Sequence, residues 1–366
     1  MSDAPDPSSL AELVWTHRPT DERHNLRDWT QAGALCFDLR RRSVDHGVLI
    51  VGDRPPSPTG DPPSAFRHTK PVFLPDVLTE RLADCAPHIA RTLDSFEAFR
   101  HGARLLDDLD ERLSDQDVLE YSSSTVDLSE PREIEKVFVD ARDPEHPVRR
   151  RVARDLSAKL SWISLDASDE SLRIRFSFGH ESTGDWLEGG ERAFWSDRFC
   201  EAAFPERSAI TDCPDIRNLL DQCLDRPWRL SETIVYSNAP GGGAVFHHDA
   251  DEGQRGVLFI QCSGVTVWLA VPNEALATAA GVHPTELEAC LQDSSDPLRS
   301  RLDQDPEFTA KLAAEGHLFA LGPGDALLLP SHGPESCCWH SVFGTTRVGE
   351  ADGPSLGLSF AIFDAD

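Results

Sequence analysis

The segment Asn238-Ala239-Pro240-Gly241-Gly242-Gly243-Ala244-Val245-Phe246-His247-His248-Asp249 carries the densest chemistry in the chain. A His-x-Asp pair, His247 and Asp249, follows a glycine-rich turn and precedes an apolar run. In an extended chain residues i and i+2 point to the same side, so both side chains can reach one ion. A further histidine stands far downstream, where Gly324-Asp325-Ala326-Leu327-Leu328-Leu329-Pro330 is followed by Trp339-His340-Ser341-Val342. Two imidazoles and one carboxylate make the facial set that suits non-haem Fe(II). They leave octahedral positions open for a bidentate cosubstrate and dioxygen. Two alternatives stay open. A kinked strand would deliver His248 with Asp251 instead, and His332 competes with His340 as the distal ligand. A lone His-x-Asp is common on protein surfaces, and only the setting of this one makes it specific. Gly241–Gly243 has neither the GxGxxG nor the GxxxxGK spacing of a phosphate loop and reads as a tight turn delivering the ligand strand.

Ligands so far apart in sequence need a rigid frame. Residues 172–178 alternate strictly, as in a half-buried strand. Beyond them the chain predicts short apolar strands over 233–236, 257–260, 265–271, 317–321, 326–329 and 355–363, mostly bounded by Gly, Pro, Asn or Asp. Many short strands with such turns predict a mainly β core, a barrel or jelly roll. Residues 272–316 read as a helical insert, with helix starts at Pro284 and Pro306. Upstream, 34–39 and 48–51 read as strands around an Arg-rich turn, 53–71 as a loop, 75–114 as helical, 122–132 as a polar stretch and 148–160 as a further helix. A short helical stretch is expected near 10–15. The division expected is an N-terminal α/β region, 1–150, mostly helical, and a catalytic domain, 151–366.

Composition narrows the partners. The formal charge of −28 disfavours nucleic acid as the substrate surface and suits a cationic partner. An acidic, merely well-solvated protein fits the same number. Nine Cys without CxxC spacing argue against a disulfide framework or structural zinc. The adjacent Cys337 and Cys338 read as buried thiols. No apolar run approaches a membrane span, and Met1–Pro7 lacks a signal-peptide pattern, so a cytoplasmic protein is expected.

At these residues the chain resembles the JmjC-type cupin oxygenases, which use Fe(II), 2-oxoglutarate and O2. Within them it is most similar to the ribosomal-protein hydroxylases, including the bacterial arginyl hydroxylase group. The resemblance runs through Pro240–Gly243, His247, Asp249, the strand 257–260, Gln261, Gly264, Trp268, then Gly324-Asp325, Pro330, Trp339–Val342 and 355–360. It covers roughly 230–363 and implies a double-stranded β-helix with His247, Asp249 and His340 as iron ligands. It implies hydroxylation of a C–H bond on a peptide, a basic protein side chain or an amino-acid-derived metabolite. The winged-helix and dimerisation parts of ribosomal hydroxylases are not expected here, because the chain ends at the last strand. The segment 251–256 and the loop 331–338 are longer than in the family. The family also places a Lys or Arg two residues after the Gly of Gln-x-x-Gly, where it pairs with the distal carboxylate of 2-oxoglutarate. Here that position is Thr266. Arg347 is the expected replacement, with Arg255, Arg173 and Arg175 as alternatives; Tyr236, Asn238 and Thr266 are expected to hydrogen-bond the cosubstrate. The absent cation keeps a second function in view, a metal-dependent cupin dioxygenase or isomerase that does not use 2-oxoglutarate. A non-catalytic ligand-binding cupin is the third.

Overall fold

The computed structural model describes residues 14–16, 35–41, 44–51, 61–114, 119–125, 130–142, 151–178, 189–251, 253–292, 296–347 and 353–365. The described chain is mostly β, in two antiparallel sheets. Its strands are β1 Val14–Thr16, β2 Leu35–Arg41, β3 Val44–Val51, β4 Val72–Leu74, β5 Leu119–Thr125, β6 Glu133–Arg142, β7 Arg151–Trp162, β8 Leu172–Phe178, β9 Trp228–Asn238, β10 Gln254–Ser263, β11 Val265–Pro272, β12 Leu318–Leu321, β13 Ala326–Pro330, β14 Cys338–Arg347 and β15 Ser355–Asp364. The smaller sheet has the order β1-β3-β2-β14-β11-β12, and the larger β4-β13-β10-β15-β9-β8-β7-β6-β5. Strands from both sides of residue 150 therefore share each sheet.

Alternation along the strands sorts their side chains into three cores. On β10, Val257 and Phe259 face the space between the sheets, with Phe73, Leu327 and Leu329. Trp268 and Ala270 of β11 and Cys338 and Val342 of β14 belong to the same cluster. The opposite face of β10, Leu258, Ile260 and Cys262, packs on a helical layer before and between the strands. That layer includes α1 Pro62–Arg67, α2 Thr79–Asp84, α3 Ala86–Arg100, α4 Leu105–Arg112, α5 Gly189–Ala203, α6 Ser208–Thr211 and α7 Pro214–Cys223. The outer face of the smaller sheet, Val267, Leu269, Val271, Trp339 and Phe343, is covered by the insert. Its helices are α8 Asn273–Ala280, α9 Leu287–Gln292, α10 Pro297–Gln304 and α11 Pro306–Ala314. The described layers thus run helices, sheet, sheet, helices.

Several expectations change. Residues 148–160 read as a helix because Arg, Leu, Ala and Lys favour one. Residues 151–160 lie instead in β7, where Leu156, Ala158 and Leu160 are fully buried at every second position and Lys159 pairs with Glu133 at 2.8 Å; residues 148–150 lie outside the described residues. Tertiary burial overrides local propensity there. The expected loop 53–71 contains α1, opened by Pro62 and Pro63, whose fixed φ suits the first helical turn. Part of the polar stretch 122–132 belongs to β5, and β6 lies where no strand was expected. Val14 and Trp15 of the expected helix 10–15 lie in β1, paired with β3; residues 10–13 lie outside the described residues.

Candidate metal centre

The glycine turn and β14 are laced together by backbone. Gly241 N–H donates to Gly344 O (2.8 Å), Gly344 N–H to Gly242 O (2.9 Å) and Val342 N–H to Ala244 O (3.1 Å). His247 and His340 exchange both backbone bonds, at 3.0 and 2.8 Å. The two histidines therefore stand opposite each other across an antiparallel bridge, their rings 4.2 Å apart. Glycine is required for this approach. A Cβ on Gly243 would lie 2.2 Å from Val342 O, and one on Gly242 would lie 2.0 Å from Asp169 Oδ1. Asp169, on the connection between β7 and β8, clamps the turn. Its Oδ2 accepts from Gly243 N–H at 3.0 Å and its Oδ1 from Ser171 N–H at 3.0 Å; Ser171 Oγ in turn accepts from Ala239 N–H.

Asp249 completes the group. Its carboxylate lies 3.8 Å from His247 Nε2 and 3.3 Å from His340 Nε2, and ligand atoms from all three residues lie within 4.8 Å of one another. The Nδ1–H of His247 donates to Val245 O at 2.8 Å, which fixes the tautomer and leaves Nε2 free as a ligand. His340 is oriented in the same way by Cys338 O, at 3.4 Å. His340 is buried and stacks on Trp268, centroids 5.5 Å apart at 24°. His247 and Asp249 keep 38% and 41% of their side-chain surface open.

Protonation suits a cation. Burial and then the neighbouring charge of His340 push His247 down to about 4, so it is neutral near pH 7. Burial alone would raise Asp249, but the facing imidazoles of His247 and His340 hold it well below the usual carboxylate range. Two imidazole nitrogens and one ionised carboxylate oxygen, facing one another, fit a divalent first-row metal.

The structure brings together His247, Asp249 and His340, and it separates the competing residues. His248 points to the other side, edge-on to Trp339 at 4.5 Å, with Nε2 3.9 Å from Glu288 of α9. His332 packs edge-on against Phe66. Tyr236 lies on β9 in the wall beside Phe259, and burial above all pushes its hydroxyl up to about 12. Asn238, buried, is two positions along the same face of β9. Thr266 faces the interior, but its hydroxyl donates to Gln261 Oε1 (2.6 Å) and accepts from Trp268 Nε1–H (3.0 Å).

Arg347 is not brought to the triad. It lies at the exposed end of β14, paired in register with Phe37. An offset of seven from His340 is odd, so an uninterrupted strand turns the two side chains to opposite faces. Arg255 is held by Asp364, and Arg175 by Glu232 at 2.9 Å. Arg173 of β8 stands directly opposite Tyr236 in the ladder and within hydrogen-bonding reach of its hydroxyl. Asp169 and Glu288 had no sequence signal: each is one acid among many, in a polar turn and in the insert.

No family model matches the chain, and no curated protein matches it. Among solved structures it is similar to SnoN, a non-haem α-ketoglutarate-dependent epimerase from nogalamycin biosynthesis. The identity is 15%, over 83% of this chain and 79% of that one, with a TM-score of 0.35. It is also similar to YcfD, the Escherichia coli ribosomal oxygenase, at 17% identity over 61% of this chain and 45% of that one, TM-score 0.28. A longer alignment to YcfD has 14% identity over 85% and 52%, TM-score 0.30. The chain thus spans about half the length of YcfD. At these scores the likenesses carry no functional argument, which rests on the geometry of the site.

Proposed function

We propose that this chain is a non-haem Fe(II)- and 2-oxoglutarate-dependent oxygenase built on a double-stranded β-helix, hydroxylating a C–H bond. The single observation that carries the reading is the convergence of His247, Asp249 and His340, from two chain segments, on one point in a half-open recess. Bound there with 2-oxoglutarate and O2, Fe(II) supplies the oxidising chemistry, in which the cosubstrate is decarboxylated to succinate as the C–H bond is oxidised. The protein's part is ligation, orientation and exclusion of water. Val245 O and Cys338 O keep the Nε2 atoms presented, and Trp268, Phe259 and Tyr236 form a wall that keeps bulk water from the inner side. The open sides of His247 and Asp249 are where substrate approaches.

The charge of −28 favours a cationic substrate, a basic peptide or protein side chain, over nucleic acid; an amino-acid-derived metabolite fits the same site. Incubation of the Fe(II)-loaded protein with 2-oxoglutarate, O2 and a pool of basic peptides tests this. Succinate should form together with a peptide carrying one added oxygen, and neither should appear with Asp249→Ala. One observation favours a second reading, a cupin dioxygenase or isomerase independent of 2-oxoglutarate: Thr266 stands where a cation is expected, and its hydroxyl is already committed. That reading predicts no succinate with any substrate.

A further inference from the structure

A dicarboxylic 2-oxo acid that chelates a metal through its keto-acid end leaves a second carboxylate inside the protein. A carboxylate in such a recess needs a cation or several donors. The β11 wall offers none, because the one proton of the Thr266 hydroxyl goes to Gln261 Oε1. Three other arginines considered for this role are turned away or occupied: Arg347 at the exposed end of β14, Arg255 on Asp364, Arg175 on Glu232.

Arg173 differs from all of these. Its register opposite Tyr236 turns it to the same face as the barrel wall, and it is half-buried. Its Nε–H donates to Ser161 Oγ at 3.2 Å, which fixes the planar group while leaving the Nη end of the fork available. That group reaches the Tyr236 hydroxyl and lies near enough to His247 for its charge to act on that ring. Among the described residues no carboxylate pairs with it. A half-buried guanidinium beside a metal triad, without a counter-ion, is electrostatically incomplete, and an anion completes it.

We propose that Arg173, together with the Tyr236 hydroxyl, receives the distal carboxylate of the 2-oxo acid from the β8–β9 wall. The cosubstrate would then lie against the wall opposite to the one that position 266 would have served. This rests on the oxygenase reading above, and the test separates the two.

The experiment is calorimetry on Mn(II)-loaded protein without O2, titrated with 2-oxoglutarate and with 2-oxopentanoate. The second acid keeps the keto-acid end and replaces the distal carboxylate with a methyl group. Wild type should prefer 2-oxoglutarate by roughly 10- to 100-fold, the range of a charge-assisted pair. Arg173→Gln should bring the two acids close to parity while Mn(II) and 2-oxopentanoate still bind. Arg347→Gln should keep the preference. Tyr236→Phe removes only a hydroxyl and should reduce the preference by a smaller factor; it decides the matter if Arg173→Gln fails to fold. A preference that survives in Arg173→Gln, or in Tyr236→Phe where that variant must decide, overturns the assignment. So does an equal weakening of both acids. If wild type with metal binds neither acid, the oxygenase reading fails and the assignment falls with it.

Discussion

At the scale of single residues, the two adjacent histidines do opposite jobs. His247 faces Asp249 and His340, whereas His248 faces Trp339 and Glu288. Their separation follows from the period of an extended chain, which is why this part of the site could be read from spacing alone. We expect His247→Ala to lower Mn(II) affinity at least about tenfold, as loss of one of three protein ligands should. We expect His248→Ala to leave it within about twofold; equal losses in calorimetry would contradict the assignment. The cosubstrate side was not legible in the same way. Arg173 precedes the motif by a whole strand and a helical region, and only the pairing of β8 with β9 brings it opposite Tyr236. Arg347 had the right chemistry in the wrong phase, at an odd offset along a strand.

At the scale of elements, the glycine turn is the joint on which the ligand segment hangs, and Asp169 holds it. One carboxylate satisfies two backbone N–H groups, one in the turn and one in its own loop. Asp169→Ala leaves those donors without their anionic acceptor, which should cost roughly 2–3 kcal/mol of stability by urea unfolding. It should also weaken metal binding, because the turn positions His247. Asp169→Asn keeps an acceptor and should recover part of both. A variant as stable and as tight as wild type would contradict the clamp. The strands beyond residue 172 were legible because 172–178 alternates with period two and the later ones are short apolar runs mostly bounded by turn residues. β7 was not, because its Arg, Leu, Ala and Lys favour a helix until Leu156, Ala158 and Leu160 find the helical layer. The expected helix over 306–314 is matched by α11, where Asp305 caps Glu307 and Phe308 N–H groups and Pro306 opens the first turn.

At the scale of the whole molecule, the insert and the N-terminal strands brace the small sheet together. Arg41 of β2 pairs with Asp303 of α10 at 2.8 Å, and His46 of β3 meets Thr309 of α11 at 3.1 Å. Neither contact could be foreseen, since both join segments more than half the chain apart. His46 is buried, and burial followed by the charge of Arg41 pushes its pKa down to about 4, against 6.5 when free. Between those values the unfolded chain binds a proton that the folded chain refuses. Its contribution is therefore complete above pH 6.5 and is lost as the pH falls toward 4, up to roughly 3 kcal/mol. Urea unfolding at pH 7 and pH 4.5 should show a smaller acid loss for His46→Gln than for wild type; equal losses would contradict this.

The central claim is that His247, Asp249 and His340 present Fe(II) to a chelating 2-oxo acid, and one spectrum tests it most directly. Under anaerobic conditions, Fe(II) and then 2-oxoglutarate are added to the protein, and the visible absorption is recorded. A weak charge-transfer band that appears only with both present, and is absent in Asp249→Ala, is the predicted result. Tightly bound iron with no band on adding 2-oxoglutarate would contradict the chelation and favour a cosubstrate-independent enzyme. Failure to bind iron at all would contradict the metal centre itself.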